Sequence, residues 1–175
     1  QVLTLFPYTT LFRSNMRTMT AGTVAVRRAN AGDVPHIVAL SAEDDLRIQG
    51  NEADPHDPVY RSAFERIEDD PNNAIFVATL RVGATETVVG AFQRTFIQHL
   101  LRSGYVACQI ESVIVARAQR SRGVGATMMR FAIEEARERG CLRVQLTSQK
   151  ARERAHVFYE RLGFVRSHEG MKLWF

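Results

Sequence analysis

The 175-residue sequence predicts an α+β fold, a mixed β-sheet flanked by helices. Three observations predict it. A short strand and two amphipathic helices come first, a β-rich meander follows, and a strand–helix–strand–helix unit closes the chain. Neither an internal repeat nor a compositional break divides residues 20–175, which read as one domain.

Thr23–Arg28 (TVAVRR) alternates apolar and polar residues, the period of a half-buried strand. Asn30 is placed to cap a helix, with Asp33 three residues on as its acidic partner. Val34, Ile37, Val38 and Leu40 then follow helical spacing. Residues 43–58 are polar, acidic and broken by Gly50, Pro55 and Pro58, which predicts an irregular loop. Val59–Glu68 reads as a second helix with Tyr60, Phe64 and Ile67 on one side. Ala74–Leu80 and Thr87–Ile97 are β-rich runs joined by a turn near Gly83, the pattern of a hairpin.

Gly104–Ala116 is a third and longer β-rich run. The basic loop Arg117–Arg122 leads from it into the clearest helix, Gly123–Arg139, which puts Val124, Met128, Phe131, Ala132 and Ala136 on one face. Glu134 with Arg137, and Glu135 with Arg139, are spaced to pair on its exposed side. Gly140 is a natural C-terminal cap. Leu142–Leu146 returns to strand, Ala151–Leu162 to a helix closed by Gly163, and Met171–Phe175 predicts a final strand.

Composition narrows the class. An apolar share of 45% and a charged share of 24% are those of an ordinary globular chain, which excludes disordered and low-complexity readings. The net charge is +4, and only Lys150 and Lys172 among the basic residues are lysines. Arginine's planar fork suits phosphate, but the arginines are interleaved with Glu and Asp and form no long basic run, so nucleic acid is not the expected partner. Cys108 and Cys141 have neither metal spacing nor a disulfide framework, which predicts free thiols, a reducing cytoplasmic location and no metal. No stretch approaches the ~20 apolar residues of a membrane span.

The first residues stand apart. Thr4–Ser14 resembles the translation of a sequencing adapter, so residues 1–15 are read as a non-native or disordered leader and the natural start as Met16 or Met19.

Chemistry concentrates around residues 113–126. A β-branched strand end, a basic loop, two glycines and a helix start follow one another, and Arg117, Arg120 and Arg122 add positive charge. The first turn of a helix has unpaired N–H groups and the positive end of the dipole, which suits a pyrophosphate. A Walker sequence is absent, and the dinucleotide fingerprint fails because residue 128 is methionine. Gly123-Val124-Gly125 alone leaves a plain strand-to-helix turn equally open.

Two further segments decide between those readings. Arg120-Ser121-Arg122-Gly123-Val124-Gly125 resembles the [Q/R]-x-x-G-x-[G/A] pyrophosphate loop of the GNAT superfamily of N-acetyltransferases. Ile110–Val115 before it is similar to that family's fourth strand, and Ala155–Phe164 after it to the A-x-x-[FL]-Y-x-x-x-G-F segment. The resemblance runs, more loosely, from Thr23 to Phe175. It implies a mostly antiparallel sheet of about six to seven strands whose fourth and fifth strands splay apart around acetyl-CoA. It further implies pantetheine contacts at Val113, Ile114 and Val115, and pyrophosphate contacts from Arg120, Ser121, Arg122, Gly123, Val124, Gly125 and Ala126.

The same resemblance suggests the catalytic groups. Tyr159 matches the family's general acid toward the coenzyme sulfur, and a phenol stays protonated at neutral pH. Glu111 is the candidate base for the amine, against the alternative of an ion pair with an arginine. Many relatives carry asparagine seven residues before the tyrosine, where this chain has Arg152, a departure that replaces that coenzyme contact or turns it into an arginine–phosphate one. His156 is a second, weaker candidate base. The acidic loop with Glu43, Asp44, Asp45, Glu52, Asp54 and Asp57 lies where the family binds acceptors and would attract a cationic amine. The expected activity is acetyl transfer from acetyl-CoA to a small-molecule or peptide amine, by direct attack. A non-catalytic acyl-CoA-sensing domain is the alternative, and a homodimer the family's common assembly.

Overall fold

The alternating TVAVRR run forms β1 (Thr23–Arg28). The computed structural model describes residues 22–43 and 54–175; the leader, Met16 and Met19, and Asp44, Asp45 and Glu52 lie outside the described residues. Past β1, Asn30 caps a 3-10 turn (Ala31–Asp33) through a reciprocal box. Its side chain accepts from the Gly32 N–H at 2.9 Å, and Asp33 accepts from the Asn30 N–H at 2.8 Å. Asp33 also takes two hydrogen bonds from Arg27, at 2.7 and 2.9 Å, which ties the start of α1 (Val34–Ala42) to β1. α2 (Pro58–Glu68) opens with proline, and the Asp57 carboxylate accepts from the Val59 N–H at 2.9 Å.

β2 (Asn73–Val82) and β3 (Thr85–Gln98) form the expected hairpin, turning at Gly83, whose φ of +60° favours glycine. α3 (Leu101–Gly104) is a single turn in which Arg102, Ser103 and Gly104 all have positive φ. β4 (Val106–Val115), α4 (Val124–Glu138), β5 (Arg143–Leu146) and α5 (Glu153–Arg161) complete the order. The sheet runs β1-β2-β3-β4-β5; every pairing is antiparallel except the parallel β4–β5.

Helices cover both faces of the sheet. On one side Val34, Val38 and Phe64 of α1 and α2 pack on Val77 and Ala91. On the other, Val124, Met128, Met129, Ala132 and Ala136 of α4 pack on Phe76, Ala78, Phe92, Cys108 and Ile110, with Phe131 at the margin. Fully burying a Met, Val or Phe side chain contributes roughly 1.5–3 kcal/mol, so this contact dominates the fold. A Cβ on Gly90 would lie 2.7 Å from the Met128 sulfur and 3.0 Å from the Ile114 carbonyl oxygen, so a side chain there would press on both α4 and β4.

Three expectations are corrected. Five strands, rather than six to seven, form the sheet among the described residues. Met171–Phe175 is irregular and exposed, with Met171 at 94% and Trp174 at 70%. Alternation equips a segment for a strand, but a strand exists only against a hydrogen-bonding neighbour, and this segment has none among the described residues. Glu135, expected to pair with Arg139 at the surface, turns inward to Arg94 of β3, with 3.6 Å between Oε2 and Nε. Arg94 is only 6% exposed; its guanidinium lies 3.9 Å from the Phe96 ring centroid and donates to the Asn72 carbonyl at 3.1 Å. Burial pushes the Glu135 carboxyl up against the pull of Arg94. Glu135 borders Ala132 and Ala136 on the helix, so it faces the sheet and not solvent.

The remaining surface pair, Arg137 with Glu134, forms at 3.2 Å. Both cysteines are free; Cys108 is fully buried, and burial pushes its thiol up to about 12. Among the described residues no helix is long and apolar enough to cross a membrane.

Candidate active site

β4 ends at Val115, and the Ala116 N–H bonds back to the Val89 carbonyl at 2.8 Å. A 3-10 turn (Arg117–Gln119) then leads to Ser121 and Gly123, with φ of +62° and +88°, and the chain reverses into α4. Gly123 is the N-cap and has no side chain to bond the first turn. The N–H groups of Val124, Gly125 and Ala126 therefore stay open to an anion at the positive end of the helix. The Val124 side chain is buried, so only its backbone can take part. Ser121 and Arg122 are exposed beside this turn.

Arg120 is used differently. Its Nε donates to the Val115 carbonyl at 3.1 Å and its Nη2 to the Glu43 carbonyl at 3.0 Å, which locks the turn to β4 and to the end of α1. Glu43 holds the turn a second time, its carboxylate accepting from the Arg117 N–H at 2.5 Å. Of the acidic loop, Glu43 is thus a brace of the glycine turn. Asp54 and Asp57 bond nearby backbone N–H groups, of His56 and Val59, each at 2.9 Å.

β4 and β5 pair only from Ala107 to Ile110 against Arg143 to Leu146. Past that point β5 has ended and the edge of Glu111–Val115 on its side is open, which is the expected splay. A bulge makes it irregular as well: Ala91 pairs with Ile114 and Gln93 with Glu111, so Ser112 and Val113 together face Phe92. Ser112 has a φ of +52°. Val113 and Val115 pack on the α4 core, and Ile114 pairs across to β3, so the peptide groups of the open edge are what a ligand can reach. Just past β5, the buried Ser148 hydroxyl has no hydrogen-bond partner among the described residues.

The three sequence segments meet at Gly125. A Cβ there would lie 3.3 Å from Cζ of Phe158 on α5 and 3.7 Å from Cγ2 of Val115 on β4. Next to Phe158, the Tyr159 ring sits 5.1 Å from it and 5.8 Å from Phe164, centroid to centroid. Burial raises the Tyr159 phenol above its ordinary value, and the Arg152 charge partly offsets this. Arg152, the N-cap of α5, therefore stands within electrostatic reach of the phenol. His156 is half-buried on the same helix.

Glu111 does not form the ion pair that was the alternative to its role as a base. It is exposed, and its carboxylate makes no ion pair or hydrogen bond among the described residues. Strand alternation beside the core residue Ile110 places it opposite Gln93, on the sheet face turned toward α1 and α2, whereas Tyr159 packs at the α4 face. Sequence reasoning missed the brace at Glu43, the bulge at Ser112 and the closure of Gly125 by Phe158. The only prior signal for the bulge was a serine interrupting a β-branched run.

Residues 37–164 match the Acetyltransferase (GNAT) family. The chain is 30% identical over 143 residues to aminoalkylphosphonate N-acetyltransferase of Salmonella typhimurium (strain LT2), covering 82% of this chain and 86% of that relative. It is 36% identical over 98 residues to glucosamine 6-phosphate N-acetyltransferase 1 of Oryza sativa subsp. japonica, covering 56% of this chain and about half, 54%, of that relative. A solved structure described as a transcriptional regulator from Bacillus halodurans C-125 superposes with a TM-score of 0.80 at 40% identity, over 87% of this chain and 100% of that one. The chain belongs to the GNAT family of acetyl-CoA-dependent N-acetyltransferases.

Proposed function

We propose that this enzyme transfers the acetyl group of acetyl-CoA to the primary amine of a small molecule that also bears a phosphate or phosphonate. The observation that carries the reading is the convergence of β4, the Gly123 turn and the α5 aromatic pair at Gly125. The acceptor class follows the two curated relatives, whose named substrates are both amines carrying a phosphorus oxyanion.

In this reading the pyrophosphate rests on the N–H groups of Val124, Gly125 and Ala126, flanked by Ser121 and Arg122. The pantetheine arm lies along the open edge of Val113–Val115. The acceptor nitrogen attacks the thioester carbonyl carbon, and the C–S bond breaks as the tetrahedral intermediate collapses. The coenzyme leaves as its thiol, having taken the proton of Tyr159. The proton released by the amine passes through water to Glu111. Solvent then reprotonates Tyr159 and deprotonates Glu111. The placement of Glu111 and Tyr159 at opposite faces of the sheet supports a base and an acid that flank a thioester held in the gap.

Loss of the thioester in the presence of a panel of amines tests the activity. Tyr159→Phe should lower kcat by about 100-fold while acetyl-CoA still binds. Because burial raises the Tyr159 phenol, the alkaline fall in kcat that it causes should lie above the ordinary value near 10 and vanish in the variant. An unchanged rate and profile would remove the acid role. A second reading, an acyl-CoA sensor, draws on the relative described as a transcriptional regulator. It predicts coenzyme binding with no thioester loss for any amine.

A further inference from the structure

We infer that the sheet face turned toward α1 and α2 carries, across β3, β4 and β5, the binding floor for the acceptor, with Arg143 as the residue that holds its anionic group; this rests on the acetyl-transfer reading above. A sheet covered by helices ordinarily presents apolar side chains to them. The α4 face does so apart from Arg94, whose charge is met by Glu135 of the helix itself. On the opposite face the apolar cluster stops at Val88 and Ala91 of β3. Beyond it the same face carries Gln93 and Thr95 on β3, Gln109 and Glu111 on β4, and Arg143 and Gln145 on β5. Register sets them in rows: Gln93 opposite Glu111, and Thr95, Gln109 and Gln145 side by side.

Half-buried polar side chains in interior strands cost free energy unless they are bonded. Here they are bonded in a chain that aims them. The Arg143 Nε donates to Gln145 Oε1 at 2.8 Å, and the Gln145 Nε2 donates to Gln109 Oε1 at 2.9 Å. Gln93 and Thr95 both donate to Asn73 Oδ1, at 3.0 and 2.7 Å. Each carboxamide is thereby oriented while retaining a second N–H for a ligand.

Charge is confined to the two ends of this floor. The Glu111 carboxylate is exposed where β4 and β5 part. At the other end the Arg143 guanidinium lies 5.3 Å from the Tyr105 ring centroid, and that ring is stacked on His99 at 4.3 Å. The bond to Gln145 fixes Arg143 through its Nε, and among the described residues its terminal amino groups donate to no acceptor. Four residues along β4 and one step between strands separate the two backbone positions, roughly 14 Å. Two long side chains shorten that span to the scale of a small phosphorylated amine. The pattern is complementary to a dipolar acceptor: its amine at Glu111, its hydroxyl or amide groups on the glutamine floor, its oxyanion on the guanidinium fork.

The test compares glucosamine 6-phosphate with glucosamine, and 2-aminoethylphosphonate with ethylamine, as acceptors for the full chain and for Arg143→Ala and Arg143→Lys. Wild type should favour the charged member of at least one pair in kcat/KM by tenfold or more, mainly through KM. Arg143→Ala should bring that ratio close to one, and Arg143→Lys should restore part of it. Coenzyme affinity and thermal midpoint report whether the variants fold. A ratio that survives Arg143→Ala, or a wild type that prefers the neutral amines, overturns the subsite and leaves acetyl transfer standing. If wild type consumes acetyl-CoA with no amine of either kind, the functional reading falls first and the subsite with it.

Discussion

The two faces of the sheet are built on different principles. The face under α4 is apolar from Phe76 to Ile110 except for the buried Arg94 that Glu135 meets, and its helix begins at the glycine turn. The face toward α1 and α2 is apolar only as far as β3 and then becomes a bonded polar floor ending in Glu111. The contrast teaches where generality and specificity reside. In the proposed reading, a coenzyme common to a whole family is met by backbone groups at a helix start and an open strand edge, which many side chains leave intact. An acceptor peculiar to one enzyme is met, in the inference above, by side chains gathered from three strands by register.

The largest expected effect tests the packed face. Gly125→Leu should drive its side chain into Phe158 and Val115, displace α5 from the turn and weaken acetyl-CoA binding by about 100-fold or more in calorimetry. Gly123→Ala meets nothing within 4 Å and should cost only about 1–2 kcal/mol of strain at its φ of +88°. Equal losses in the two variants would mean that conformation, not closure by Phe158, makes the turn competent.

A smaller effect tests whether the faces are coupled. Glu43→Ala removes the carboxylate that holds the Arg117 N–H and should raise the dissociation constant for acetyl-CoA by about tenfold. Glu43→Gln retains an acceptor oxygen and should recover part of the loss. An unchanged constant in the alanine variant would separate α1 from the coenzyme turn.

The smallest effect lies on the α1 side and is read as pH dependence. Burial would raise the Asp33 carboxyl, but the hydrogen bonds from Arg27 and the Asn30 N–H outweigh it and hold the group below its ordinary 3.8. The associated stability is therefore present above that value and lost as pH falls through the lower, folded one. Asp33→Asn should cost about 1 kcal/mol at neutral pH, and the gap to wild type should close below about pH 4 in denaturant titrations. A constant gap across that range would assign the cost to geometry instead of charge.

Much of this was legible in the chain. Asn30 with Asp33, the glycine at 83 and the apolar stripe of α4 are local signals, each acting within a turn or two of itself. Glu135 was misassigned because helical spacing lists the partners on one helix and cannot weigh them against an arginine 41 residues away on β3. The terminal alternation at Met171–Phe175 misled for a related reason, since pairing depends on an edge that sequence does not locate.

By itself the sequence determined the elements up to α5, the anion-ready turn at Gly123 and the identity of the aromatic pair, because short-range sterics and periodicity write these into neighbouring residues. Only the tertiary structure decided that Phe158 closes on Gly125, that Glu43 braces the turn, and that Glu111 stands free across the sheet from Tyr159. Those relations depend on register, on a one-residue bulge and on which face a strand presents. Each is a long-range outcome that a single shifted pairing would reverse.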